Sequence, residues 1–316
     1  MKTLLITIAL VMSSVVGCFA AQEVGSVVSG DERLPEYIHL LQGKRVGVLT
    51  SYTATVGDTH IVDTLLKSGV EIKRIFAPEG GFDEEKNMRP RDSYFGIEIV
   101  TLNQPPKAND VFACDVIVCD IQSVGIRECP SVLALGQMMQ VCADIAVPLV
   151  VLDRPNPLGD GVDGAIVEPK YRTEGELPLP LLYGMTLGEL ARMTNGEGWL
   201  VGGVKCPLTV VPCIGYSRSN EEYPTNDILA EGLSEELPVV VAGQRGLDLS
   251  RIIDAYRECE KTEELFVEEV FDSFMGVEYV RDMIELGYSA DEIRSMWRAD
   301  VERFVAQRKA YLIYEN

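Results

Sequence analysis

Val150-Val-Leu-Asp-Arg-Pro-Asn-Pro-Leu-Gly-Asp160 decides the fold class. A β-branched run drives directly into Asp153 and Arg154, and prolines and glycines then shape a loop. Proline fixes φ and glycine permits tight backbone approach. An α/β protein presents polar groups in this way at the carboxyl end of a buried strand, where such sheets bind ligands. An Asp-Arg pair at that position either faces a ligand or braces the turn.

Similar runs come before it. Residues 45–50, 71–77, 96–102 and 115–120 read as short buried strands, and 148–152 as the strand that delivers Asp153. Helices are expected from Asp58 or Thr59 through 67 and over 131–145. The alternation predicts an α/β fold, a Rossmann-like parallel sheet with helices on both faces, over residues 40–200. Thr186-x-x-Glu189 is a capping box for a helix reaching 195, and 208–211 reads as another strand. Beyond about 247 the pattern is helical, over 248–258, 263–274, 277–286 and 290–309. Ser289-x-x-Glu292 opens the last, with Ile293, Trp297, Val301 and Phe304 on one face. Residues 201–316 are therefore expected to form a reduced C-terminal domain ending in helices.

The chain has 316 residues, 47% hydrophobic and 24% charged, which is ordinary globular composition. A net charge of −21 makes nucleic acid and anionic membrane surfaces poor partners. Residues 1–20 read as a signal peptide, with Lys2 before the apolar run from Leu4 to Val16. Cleavage fits after Ala20. Val15-Val-Gly-Cys18 alternatively fits a lipoprotein signal that would lipidate Cys18. Either reading implies export to a periplasmic or extracellular location. Eight cysteines include Cys18, and the odd remainder is no clean disulfide framework. Cys114 and Cys119 are expected on one strand, facing opposite sides. Cys206 and Cys213 flank a strand and are open to pairing.

In a parallel sheet the strand carboxyl ends share one edge. Thr50 and Ser51 follow the first strand, Glu79 the second, Asp120 and Gln122 the fourth, and Asp153 and Arg154 the fifth. Crowded carboxylates raise one another's pKa values, the condition for a general acid near neutral pH. The same acids could instead cap helices and pair with Arg127 or Arg154. His39 and His60 are the two histidines, and neither accompanies a G-x-S-x-G motif. There is no P-loop, no G-x-G-x-x-G after the first strand and no C-x-x-C. No cofactor, nucleotide or metal is therefore expected. Paired carboxylates remain, and glycoside hydrolysis is the largest reaction class that uses them.

Several motifs then stand in order: Gly43-Lys-Arg-Val-Gly-Val-Leu-Thr50, Phe76-Ala-Pro-Glu79-Gly-Gly-Phe82, Cys119-Asp-Ile-Gln122-Ser-Val-Gly125-Ile-Arg127 and Leu152-Asp-Arg-Pro-Asn-Pro157. Val162-Asp-Gly164, Glu168-Pro-Lys-Tyr171, Tyr183-Gly-Met-Thr186, Asn195-Gly-Glu-Gly-Trp199 and the end from Trp297 to Tyr314 continue the series. Together they resemble the exo-β-N-acetylmuramidases of the NamZ type, a glycoside hydrolase family of peptidoglycan turnover. The resemblance implies release of N-acetylmuramic acid from the non-reducing ends of wall fragments, so the implied partners are peptidoglycan-derived saccharides. It implies Glu79 as a catalytic carboxylate, with Asp163 or Glu168 as the second. Asp120, Gln122, Arg127, Asp153, Arg154, Asn156 and Tyr183 would bind the sugar or orient the acids. Gly80 stands where the family has histidine, and a block between about Tyr216 and Val240 is largely missing. The alternative reading is a catalytically inactive paralogue that binds cell-wall saccharides.

Overall fold

Leucine-rich and β-branched runs bury both faces only inside a covered parallel sheet. The computed structural model describes residues 27–78, 93–94, 96–219, 246–258 and 268–315. The strands, in chain order, are Arg45–Thr50 (β1), Thr55–Val56 (β2), Thr59–His60 (β3), Glu71–Pro78 (β4), Ser93–Tyr94 (β5) and Ile97–Leu102 (β6). Val116–Asp120 (β7), Leu149–Leu152 (β8), Val162–Asp163 (β9), Leu182–Tyr183 (β10) and Leu208–Val211 (β11) follow. The central sheet has the order β11-β8-β7-β1-β4-β6-β5. Its pairs are parallel except β5 on β6. From β1 the chain builds outward through β4 and β6, then returns to β7, β8 and β11 on the other side. The reversal lies between β1 and β7, whose ends pair Thr50 with Asp120. Such a switch point opens a crevice at the carboxyl edge of the sheet.

Alternate strand residues point to opposite faces. Val46, Val48, Val118, Val150 and Leu152 pack in one apolar cluster with residues of helices α1 (Leu34–Leu41) and α2 (Ile61–Lys67). Leu49, Ile117, Cys119 and Val151 pack on the other face, with α3 (Ala108–Phe112), α4 (Pro130–Asp144) and α5 (Leu187–Glu197). Each such side chain, fully buried, contributes roughly 1.5–3 kcal/mol. The fold is thus α/β, Rossmann-like, with helices on both faces of the sheet.

Three local expectations change. The helix expected from Asp58 or Thr59 starts at Ile61, because Thr59 and His60 pair with Val56 and Thr55. His60 then caps it, its Nδ1 accepting from the Val62 amide at 3.2 Å. Cys114 precedes β7 rather than lying on it, and it shares one apolar cluster with Cys119. Cys206 and Cys213 are free thiols. Strand β11 pairs along β8 and extends the central sheet.

The remaining chain is helical: α6 (Leu249–Glu258), α7 (Glu268–Met275), α8 (Tyr279–Glu285) and α9 (Ala290–Arg308). Ser289 and Glu292 form the expected capping box, and Ile293, Trp297 and Phe304 are buried. Leu249, Ile253, Val280 and Trp297 form a cluster with Ile126, Ala165 and Leu182 of the first unit. Among the described residues no helix is long and apolar enough to cross a membrane.

Arg308 fastens the end of α9. Its guanidinium is buried and donates to the carbonyls of Tyr183 at 3.1 Å, Gly184 at 2.5 Å and Asp160 at 3.0 Å. Replacing it strands these carbonyls away from water. Arg308→Met should cost about 2–4 kcal/mol in urea unfolding. A loss under about 0.5 kcal/mol, the level of an ordinary surface change, would contradict this role.

Candidate functional site

Strand β8 delivers Asp153 into the protein rather than to its surface. The residue is wholly buried. Its carboxylate accepts from Thr186 Oγ1 at 2.7 Å, the Gly188 amide at 2.8 Å and Tyr314 OH at 2.5 Å. Thr186 and Gly188 open α5, where unpaired amides and the helix dipole favour an anion. Gly188 is required by proximity, since a Cβ there would lie 2.7 Å from Asp153 Cγ. Burial pushes the Asp153 carboxyl up to about 6, against the lowering effect of its hydrogen bonds. Its backbone carbonyl accepts from Gly30 at 2.7 Å, and its amide donates to Val211 at 2.9 Å.

Glu189, the residue after Gly188 in the same first turn of α5, makes a second anchor. One carboxylate oxygen accepts from the Thr186 amide at 3.0 Å, closing the expected capping box. The other accepts from the Ile313 amide at 2.7 Å and forms a buried ion pair with Arg218. Sequence reading identified Glu189 as a cap but not as the partner of Arg218 and the chain's end.

The switch point holds a different cluster. Arg154 Nε lies 2.6 Å from Asp120 Oδ1, and a second nitrogen lies 3.1 Å from Oδ2, a bidentate pair. The same guanidinium pairs with Asp31 at 2.9 Å. Both aspartates are buried, whereas 12% of the Arg154 side chain remains exposed. Burial first, then Asp120, raises Asp31 to about 6, while Arg154 lowers it. Gln122 is half-buried and donates to the carbonyls of Ser123 at 2.6 Å and Pro155 at 2.9 Å. Asp120, Gln122 and Arg154 are thus brought together with Thr50. Asp31 was missed because it sits in a polar lead-in with no strand or motif beside it.

Other expected site residues are engaged in the frame. Buried Arg127 donates to Ala165 and Leu179, both at 3.1 Å, to Phe274 at 2.6 Å and to Glu128 at 2.7 Å. It therefore ties the first unit to the end of α7. Asn156 is buried and bonds to Leu158, Gly159 and Met185, which fixes the loop after Asp153. Tyr183 is buried with its hydroxyl 2.6 Å from Ser123 Oγ. Asp163 accepts from Gly164, the Trp297 indole at 2.8 Å and the Leu247 amide at 3.0 Å. Glu168 is half-buried, 3.6 Å from Lys170. The side-chain partners of Asp163 are Gly164, Leu247, Arg294 and Trp297, and that of Glu168 is Lys170, so neither is brought together with the Asp120–Arg154 pair by these bonds. Glu79 lies outside the described residues; it directly follows Pro78, the last residue of β4. The signal peptide at 1–20, with Cys18, also lies outside them. Among the described residues no His, Cys, Asp and Glu group could hold a metal.

A doubly wound sheet with a charged switch point defines a Rossmann-like α/β protein. The chain belongs to the exo-β-N-acetylmuramidase NamZ family: residues 46–235 match the family's N-terminal domain and 244–314 its C-terminal domain. It is 32% identical over 207 residues to peptidoglycan β-N-acetylmuramidase NamZ of Bacillus subtilis strain 168, covering 60% of this chain. The match spans 47% of that relative's length, about half. A crystal structure of a DUF1343-family protein from Bacteroides fragilis NCTC 9343 superposes with TM-score 0.79 at 30% identity, covering 92% of this chain and 99% of that one. A second such protein from the same organism gives 0.73 at 22% identity, over 91% and 99%, and shares the fold.

The raised Asp31 value has a consequence for stability. The folded protein keeps a proton up to about pH 6 that the unfolded chain releases near 3.8. Ionising Asp31 therefore costs stability as pH rises through this window. The stability of wild type minus that of Asp31→Asn should fall by roughly 1–3 kcal/mol between about pH 4 and pH 7. Urea unfolding at each pH measures it, and a flat difference would contradict the assignment.

Proposed function

We propose that the protein is a glycoside hydrolase of exo-β-N-acetylmuramidase type, acting on peptidoglycan-derived saccharides from their non-reducing ends. The observation that carries this reading is the family match over both domains. Supporting it, Glu79 follows a strand that adjoins β1, one strand from the switch point. In this reading Glu79 is the general acid. A second carboxylate completes the pair that glycoside hydrolysis requires. Asp163 and Glu168 are its two named candidates, and Asp163 would act only by exchanging its bonds to Trp297 and Leu247.

Gln122 and the exposed part of Arg154 are the sugar-facing groups. Arg127, Asp153, Asn156 and Tyr183 act as positioning residues, since their polar atoms are spent on the frame. An arginine near the crevice suits a substrate carboxylate, which guanidinium binds as a fork. Export through residues 1–20 would place the protein where wall fragments are found.

A second reading is a saccharide-binding relative without turnover. The bonds that hold Asp163, and the ion pair of half-buried Glu168 with Lys170, favour it. Calorimetric binding of muramic saccharides without hydrolysis would establish that alternative.

Glu79→Gln should reduce release of chromophore from a muramic acid glycoside by at least about 10²-fold, the scale of general acid catalysis. Turnover equal to that of an active wild type would remove Glu79 from the mechanism.

A further inference from the structure

At the switch point one arginine serves two buried aspartates, and the charges do not balance. Arg154 Nε and Nη2 meet the Asp120 carboxylate at 2.6 and 3.1 Å, and Nη2 also lies 2.9 Å from Asp31 Oδ2. Nη2 reaches on to the Thr55 carbonyl at 3.4 Å. The remaining nitrogen, Nη1, makes no hydrogen bond among the described residues, and it is not one of the buried polar atoms left without one. It therefore keeps contact with solvent, in keeping with the 12% of the side chain that is exposed. Three bonds fix the guanidinium from behind, and one donor group faces the crevice.

The charge behind that donor depends on a single proton. Asp31 is wholly buried; its Oδ1 accepts from Ser29 Oγ, whereas its Oδ2 accepts no hydrogen bond despite lying beside Arg154. Both aspartates border the same nitrogen of Arg154, and two carboxylates so placed do not ionise independently. With Asp31 protonated, Asp120 and Arg154 cancel. With Asp31 ionised, the cluster carries one negative charge in excess. Burial and Asp120 raise Asp31 to about 6, so the change falls in a physiological range. Tyr37 of α1 donates to the Asp31 carbonyl at 3.0 Å, and burial pushes its hydroxyl up, as it does the Cys213 thiol. On Asp31's own segment, Glu32 is exposed and accepts from the Ser29 amide, while Arg33 donates to the Pro212 carbonyl. Asp153, also raised to about 6, is turned away towards Thr186, Gly188 and Tyr314. His60, paired with Thr55 across β2 and β3, has its ring on the Ser51 carbonyl.

We propose that Asp31 is a positioning residue that gates the crevice by charge: while it holds a proton, Arg154 offers Nη1 to the carboxylate of an acidic saccharide, and once it ionises the cluster repels that carboxylate. The choice of a saccharide as the carboxylate's carrier rests on the wall-saccharide reading above, whereas the imbalance of two aspartates against one arginine does not. A unit charge about 6 Å away, at an effective dielectric near 20, changes an affinity by a factor of roughly a hundred, which salt reduces. Binding is therefore tight below about pH 6 and weakens as pH rises through the Asp31 titration.

Calorimetric titration of the full chain with two monosaccharides tests the gate. N-acetylmuramic acid carries a carboxylate that stays ionised above about pH 5, and N-acetylglucosamine carries none. The wild type should bind N-acetylmuramic acid about tenfold more weakly at about pH 7.5 than at about pH 5, and N-acetylglucosamine equally at both. Asp31→Asn copies the protonated state, so it should bind N-acetylmuramic acid with the low-pH affinity at both values. A purely structural role for Asp31 would not remove the pH dependence for one sugar alone. Asp31→Asn also leaves Asp153 and His60 in place, so a fall that persists in the variant belongs to them. Should the variant melt early, the wild type carries the test. Its binding of N-acetylmuramic acid at about pH 6.5, compared in buffers of different ionisation enthalpy, should take up a proton that N-acetylglucosamine does not. No binding of N-acetylmuramic acid, equal affinity at both pH values, an equal fall for N-acetylglucosamine, the same fall in Asp31→Asn, or no proton uptake would overturn the proposal. Hydrolysis of a muramic acid glycoside, measured in parallel, separates the two ideas. Turnover with pH-independent binding removes the gate alone, and gated binding without turnover removes the hydrolase reading alone.

Discussion

The burial of Asp153 is the constraint on which the rest of the architecture depends. One carboxylate joins the end of β8, the start of α5 and the chain's last tyrosine. Its backbone adds the N-terminal segment at Gly30 and the strand β11 at Val211. A charge removed from water is tolerated only when hydrogen bonds replace hydration, and three short ones do so here. The raised value of about 6 records the desolvation left uncompensated. Glu189, in the same first turn of α5, repeats the arrangement, holding Arg218 and the Ile313 amide. The C-terminal helices are thus locked to the sheet by carboxylates from the first unit, by Arg127 bonding to the Phe274 carbonyl, and by Arg308 bonding back to Asp160, Tyr183 and Gly184.

This arrangement changes how the polar edge of the sheet is understood. A strand-end acid looks like chemistry from the sequence, but Asp153 and Asn156 are spent on structure. Asp120 and Arg154 lie at the true switch point, paired with one another and with Asp31. The crevice therefore has a floor in which two buried aspartates share one arginine. Gln122 and part of Arg154 stay accessible there, with β1 between β7 and the strand β4.

The sheet was legible because its signal is local. Val46 to Leu49, Val116 to Cys119 and Leu149 to Leu152 are apolar on both faces, which only a covered parallel strand explains. Thr186 with Glu189 and Ser289 with Glu292 announced two helices through cap spacing, and both boxes are formed. Asp31, Tyr314, Arg218 and Arg308 were not legible in their roles. Each acts across a long sequence separation, and no periodicity or motif marks a side chain that bonds to a distant carbonyl or carboxylate. His60 as a helix cap was hidden for a different reason. The short β2–β3 hairpin overrode the Asp58 and Thr59 caps that local preference favours.

The proposed exo-acting hydrolysis of wall saccharides rests on the family match over both domains. Mass analysis of products from a defined linear muropeptide incubated with the wild-type protein tests that claim most directly. The account predicts free N-acetylmuramic acid released stepwise from the non-reducing end, with the shortened chain as the other product. Internal fragments, or a muropeptide unchanged after prolonged incubation with folded protein, would contradict it.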